Sequence, residues 1–319
     1  MPPRFSPAGW LPHAHFQTVY ASLLARAPRI AFRRERWDTP DGDFVDVDFV
    51  DGPEGAPWVH LFHGLEGSAQ SPNIRAMAAQ VLARGWRVSV LHFRGCSGEP
   101  NRLARAYHSG DSAEVDWVLR RLRARLPGVR LYAAGVSLGG NALAKWLGEQ
   151  AHAAGEVIDA AAVMCAPVDL MAAGDALERG FSIAYTRHFL ATLKKTSLAK
   201  LERFPGLYDA EAVRASRTLR EFDNVVTAPL HGFRDTDDYW TRASSKPWLP
   251  SIRVPTLLIN ARDDPFLPER ALPSASEVSK AVTLEFTDRG GHVGFVSGPF
   301  PGNIDWLPRR VLHFFEHRE

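Results

Sequence analysis

The chain has 319 residues, 45% hydrophobic and 23% charged, the balance of a globular protein with a sizeable core. Its 38 Lys and Arg against 36 Asp and Glu leave a formal charge of +2 without a long basic run, which argues against nucleic acid as a partner. Two cysteines, Cys96 and Cys165, supply neither a disulfide framework nor a metal-ligand spacing, so a reducing compartment and a cytoplasmic protein are expected.

In chain order, FSPAGWLPHAHFQTVYASLLARAP (5–28) is aromatic, but prolines and charges interrupt its apolar stretches. Neither a secretory leader nor a spanning helix is expected, while peripheral membrane contact stays open. Trp10 and Phe16 are expected to pack against a sheet rather than line an acyl pocket. RERWDTPDGDFVDVDFV (34–50) reads as a hairpin turning at Asp41-Gly42. WVHLFHG (58–64) and WRVSVLHFRG (86–95) are short apolar runs closing on glycine, separated by the helical IRAMAAQVLARG. HSGDSAEVDWVLRRLRARLPG (108–128) predicts a helix with Ser109 or Asp111 as its cap. The run from Val129 to Ala134 predicts a strand, a helix follows it, and AAAVMCAPVDL (160–170) predicts another buried strand.

From 169 to 250 the rhythm changes to charge-rich helical segments such as YTRHFLATLKKTSLAKLERF, with no strand pattern; Lys194-Lys195 there marks a solvated face or a contact with anionic headgroups. Strand patterns return in RVPTLLINARDD (253–264) and AVTLEFTDRGGH (281–292). Alternating strands and helices predict an α/β fold: a mostly parallel central sheet with helices on both faces. The core is expected over 1–168 and 251–319, with a helical cap insertion over 169–250.

Gly135-Val136-Ser137-Leu138-Gly139 lies where a strand gives way to a helix, and fits a G-x-S-x-G nucleophile elbow. A serine hydroxyl needs a base and a group to orient that base. The strand TLLINA ends in Asp263-Asp264-Pro265, and VTLEFTD ends in Gly290-Gly291-His292, giving the order serine, acid, histidine. One helix and one strand are expected between the acid and the histidine. Asp263 and Asp264 both stand at the end of the strand TLLINA, so either carboxylate is available to orient the base. Backbone N–H groups of Leu138 and of Leu65, in the HGLEGS loop, are the expected oxyanion donors. Cys96 reads as a small buried residue rather than a rival nucleophile. His108, Asp111, His231 and Asp235 read as caps and turns, so neither metal nor cofactor is expected.

Together, HGLEGS, FRGCSGEPNRLARAYHSGD, GVSLGGNALAKWLGE, HGFRDTDDYW, INARDDPFLP and GGHVGFV resemble the YheT-like branch of the α/β-hydrolase superfamily, the AB hydrolase-4 family. The likeness extends from HFQTVYASLLAR to GGHVGFV, nearly the whole chain. The resemblance implies an α/β-hydrolase fold, a triad on Ser137, Asp264 and His292, and lipid-acting or medium-chain ester-acting relatives. The expected activity is hydrolysis of small-molecule carboxylic esters of short-to-medium acyl or lipid-like type. Thioester hydrolysis, acyl transfer to an alcohol, and binding without turnover are the alternatives, and oligomeric state is left open.

Overall fold

The computed structural model describes residues 4–317. α1 (Ala14–Leu23) precedes a hairpin of β1 (Arg33–Asp38) and β2 (Phe44–Val50), which turns with Gly42 at φ +86°. β3 (Trp58–Phe62), α2 (Pro72–Leu82), β4 (Arg87–His92) and α3 (Ser112–Arg125) follow. Then come β5 (Leu131–Val136), α4 (Leu138–Gln150) and β6 (Ala160–Met164). β7 (Thr256–Ala261) and β8 (Val282–Thr287) complete an eight-stranded sheet of order β1-β2-β4-β3-β5-β6-β7-β8. β1, β2 and β4 pair antiparallel; every other pairing is parallel.

The central strands are apolar at nearly every position because both of their faces are covered. Trp58 and Phe62 of β3 enter one core with Leu119 of α3 and Trp146 of α4, while Val59 and Leu61 enter the opposite core with Ile74 of α2. Between β6 and β7 the described residues hold no strand. They form α5 (Leu170–Leu177), α6 (Ile183–Arg203), α7 (Ala210–Ala215), α8 (Leu219–Phe222), α9 (Ala228–Leu230) and α10 (Thr236–Ala243). The C-terminal α11 (Trp306–His317) packs beside α2.

Three local expectations are corrected. Asp111 stands at the N-cap of α3 but makes no capping bond; both its carboxylate oxygens accept from Arg105 at 2.7 Å, and Ser109 Oγ accepts from Asn141. No α-helix fills the chain between Asp264 and β8. Single 3₁₀ turns at Glu269–Ala271 and Ala275–Glu277 take its place, because Pro268 and Pro273 interrupt any continuous helical ladder. Trp10 packs on Tyr20 and Phe300, and Phe16 is exposed, rather than either packing on the sheet. The reason lies in α1, whose buried face is polar: Gln17 Oε1 accepts from Val296 N–H at 2.7 Å and Thr18 Oγ from His292 N–H at 2.9 Å, which turns Phe16 outward.

Candidate active site

β5 ends at Val136, and Ser137 follows at φ +52°, ψ −119°, a strained backbone for a residue with a side chain. Close packing holds it there. A Cβ on Gly135 would lie 2.5 Å from Gly139 O, and a Cβ on Gly139 2.5 Å from His63 O, so only glycines let the first turn of α4 press against both β5 and the end of β3. The Ser137 N–H donates to Met164 O at 2.8 Å, which leaves the hydroxyl at the tip of the turn.

Ser137 Oγ lies 2.9 Å from His292 Nε2, and His292 Nδ1 lies 2.9 Å and 3.1 Å from the two carboxylate oxygens of buried Asp264. A carboxylate only accepts, so Nδ1 carries the proton and Nε2 presents its lone pair to the serine hydroxyl. Asp264 is fixed in turn by Phe266 N–H at 2.7 Å and by Asn260 Nδ2 at 3.3 Å. The adjacent Asp263 does not reach the imidazole; its carboxylate accepts from Gly291 N–H at 2.9 Å and so ties down the loop that carries the histidine. Burial, reinforced by the charge of Asp264, pushes the Asp263 carboxyl above its ordinary value.

Two further residues hold the imidazole, and local sequence gave no signal for either. Phe266 stacks on it at 3.9 Å between ring centroids and 9° between planes, and Thr18 holds its backbone from 274 positions away. A third, His63, acts on the 64–68 loop. Its Nε2 accepts from Phe93 N–H at 3.2 Å, so its Nδ1 carries the proton and donates to Gly64 O at 2.7 Å. Burial lowers His63 to about 3, which keeps the ring neutral in that tautomer. Pinning the Gly64 carbonyl fixes the whole 64–65 peptide plane, and with it the direction of the Leu65 N–H. That peptide lies against the serine: a Cβ on Gly64 would stand 3.2 Å from Ser137 Cβ. Leu138 N–H belongs to the first turn of α4, where no carbonyl four residues back is available to it.

Ser137, Leu65 and Leu138 open into a cavity of about 590 Å³, walled by Leu170, Leu177, Phe189, Phe222 and Trp240 from the 169–250 segment. Lys200 of α6 ties that segment to the core by donating to Asn101 Oδ1 at 2.9 Å and to the carbonyls of Leu103, Ala104 and Arg105. Cys96 also lines the cavity, but burial pushes its thiol up, so it stays protonated and a poor nucleophile. The rings of His108 and His231 meet at 4.6 Å, a closeness their separate motifs did not suggest. Asp111 is engaged by Arg105, and Asp235 accepts from Asp238 N–H at 2.8 Å as the cap of α10. Among the described residues, no group of three or more His, Cys, Asp or Glu side chains is arranged to hold a metal ion.

The family defined by the α/β hydrolase fold matches residues 57–299. The chain belongs to that family. It is 38% identical to the Escherichia coli (strain K12) protein named "Putative esterase YheT", over 96% of this chain and 91% of that one. It is also 29% identical to Phospholipase ABHD3 of Mus musculus, over 98% of this chain and 78% of that protein. Among solved structures, the Pyrococcus furiosus esterase Pf2001 superposes with a TM-score of 0.57 at 17% identity, covering 91% of this chain and 98% of that one, a likeness of fold. The chain is thus an α/β hydrolase whose relatives carry esterase and phospholipase names. No helix among the described residues is long and apolar enough to cross a membrane.

Proposed function

We propose that the protein is a serine hydrolase of carboxylic esters, with Ser137 as nucleophile, His292 as general base and acid, and Asp264 as the group that orients the imidazole. The observation that carries this reading is the unbroken hydrogen-bonded line from Ser137 Oγ through His292 to Asp264, at 2.9 Å on each side of the ring. As Ser137 Oγ attacks the ester carbonyl, its proton passes to His292 Nε2, and Asp264 stabilises the imidazolium through Nδ1–H. The Leu65 and Leu138 N–H groups receive the oxyanion. Collapse expels the alcohol, which takes the proton from Nε2 and leaves an acyl-enzyme. Water, deprotonated by the same nitrogen, then releases the acid and restores the serine.

The 169–250 segment serves as a cap on this site, because it supplies most of the apolar wall above Ser137. A cavity of about 590 Å³ with such walls suits short-to-medium acyl chains or lipid-like esters better than charged acids. The test is a fluorophosphonate label and a nitrophenyl ester series of rising chain length. Wild-type protein is expected to take up one label per chain and to cleave the series. Ser137→Ala should lose both while keeping its melting temperature, with only a residual rate from the oxyanion donors. Normal turnover by folded Ser137→Ala would overturn the mechanism.

A further inference from the structure

Large exposed apolar side chains are concentrated in one region. Of those among the described residues, all but Trp248 lie on α1 and the residue after it (Phe16, Leu23, Leu24), in the turn before α6 (Phe181) and its first residue (Ile183), or at Phe300. Aromatic contacts join these segments into one band. His15 of α1 lies 4.7 Å from Phe181 and hydrogen-bonds Tyr185 of α6, while on the other flank Tyr20 and Phe300 both pack on Trp10. Phe16 and Leu23 stand between the two flanks, seven residues apart on the solvent face of α1, and are 54% and 70% exposed. An apolar band of this extent on a monomer marks an interaction surface.

Its charge selects the partner. The segments that build the band, 4–34, 179–201 and 289–304, contain none of the chain's 36 Asp and Glu residues, although the whole chain is nearly neutral. Arg26, Arg29, Arg179, Arg187 and Lys195 are exposed there and make no ion pair among the described residues. A second copy of the chain fits poorly, since a two-fold interface would set this basic surface against itself. Apolar and aromatic side chains fringed by unpaired arginines match an anionic bilayer, whose headgroups take the cations while the rings enter the acyl boundary. The band also adjoins the site. Thr18 of α1 holds His292, and the turn carrying Phe181 leads into α6, which supplies the cavity-lining Phe189, Thr192 and Lys195.

We propose that α1, the start of α6 and the Phe300 loop form a docking surface for anionic lipid bilayers, which places the cavity mouth against the membrane. Docking requires no turnover, so it is measured on the Ser137→Ala protein by flotation with vesicles of phosphatidylcholine, with and without phosphatidylglycerol. Partition into the phosphatidylglycerol vesicles is expected to exceed that into phosphatidylcholine alone and to fall with added salt. The double variants Phe16→Ser/Leu23→Ser and Arg26→Glu/Arg29→Glu should each weaken it on the order of tenfold. In the Ser137-containing background the same variants should cleave a soluble nitrophenyl ester as wild type does, which shows that they are folded. Equal partition into both vesicle types, or unchanged partition of the variants, would overturn the proposal. So would self-association, seen by sedimentation, that the variants abolish in protein that does not bind vesicles.

Discussion

Two adjacent carboxylates separate their work through what each one touches. Asp264 accepts Nδ1–H of His292 and is itself held by Phe266 N–H, whereas Asp263 accepts from backbone N–H groups, Gly291 foremost, and not from the imidazole. Asp264→Asn would offer the ring an amide that can donate, which favours the tautomer with its proton on Nε2 and removes the lone pair facing Ser137. Turnover is expected to fall roughly 10⁴-fold with little change in melting temperature. Asp263→Asn keeps an acceptor for Gly291 N–H, so its loss should stay within about tenfold. Comparing kcat of the two purified variants on one activated ester settles the assignment; the reverse order would transfer the orienting role to Asp263. At this scale the sequence was legible where a residue type and its strand end coincide, as at Ser137 and His292. It was opaque where a side chain acts through another group's backbone. HGLEGS suggested a loop freed by glycines, yet the direction of the Leu65 N–H depends on the tautomer of His63, which only the contact with Phe93 fixes.

Among the elements, α4 shows how a helix is fastened to a site. Gly139 lets its first turn meet the carbonyls of Phe62 and His63, and Gly148 lets its last turn meet the backbone of Trp248 in the Lys246–Ser251 turn, remote from the serine. Adding one methyl at either place overpacks a rigid backbone contact and is expected to destabilise by about 1–3 kcal/mol. The functional outcomes should differ. Gly139→Ala displaces Leu138 N–H and Ser137 together and should lower kcat at least a hundredfold, a loss typical of misplacing an oxyanion donor. Gly148→Ala should leave kcat of the folded fraction near wild type. Urea unfolding paired with active-site-titrated kcat tests both, and equal kcat losses would show that the position of α4 as a whole, not its first turn, governs the site. The strands and α4 were readable from the alternation of short apolar runs with helical periods, because burial on two faces leaves a strong local pattern. α1 was misjudged because its aromatics suggested a buried face, while a polar pair, Gln17 and Thr18, is what docks on the histidine loop some 280 positions away. No periodicity encodes a hydrogen bond over that distance.

For the whole molecule, buried titratable groups set how the fold responds to acid, and their signs oppose. Burial lowers His60, His63 and His231 to about 3, from 6.5 in the unfolded chain, and lowers His15 and His108 in the same direction. Below pH 6.5 the unfolded chain therefore takes up protons that the native protein refuses, and stability falls as pH drops from 6.5 towards 3. Glu114, raised to about 7, and Asp223, raised to about 6, both chiefly by burial, act in reverse. The native state binds their protons first, between pH 7 and 4.5 for Glu114 and between 6 and 3.8 for Asp223, which offsets part of the histidine effect. The Glu114 share of that offset ends near pH 4.5 and the Asp223 share near 3.8. From about pH 4.5 downward Glu35, Asp41 and Asp48, held down to about 2 in the native protein by arginine and other hydrogen-bonding partners that outweigh their burial, begin to add to the loss. Each uncompensated proton changes the slope by about 1.4 kcal/mol per pH unit. Urea midpoints are thus expected to move little from pH 7 to 6, to decline moderately to 4.5, and to fall most steeply between 4.5 and 3. Asp223→Asn removes one compensating proton, so its decline between pH 6 and 4 should be steeper than that of wild type. Parallel curves for the two proteins would mean that Asp223 stays ionised in the native state despite its burial beside Trp240 and Thr227.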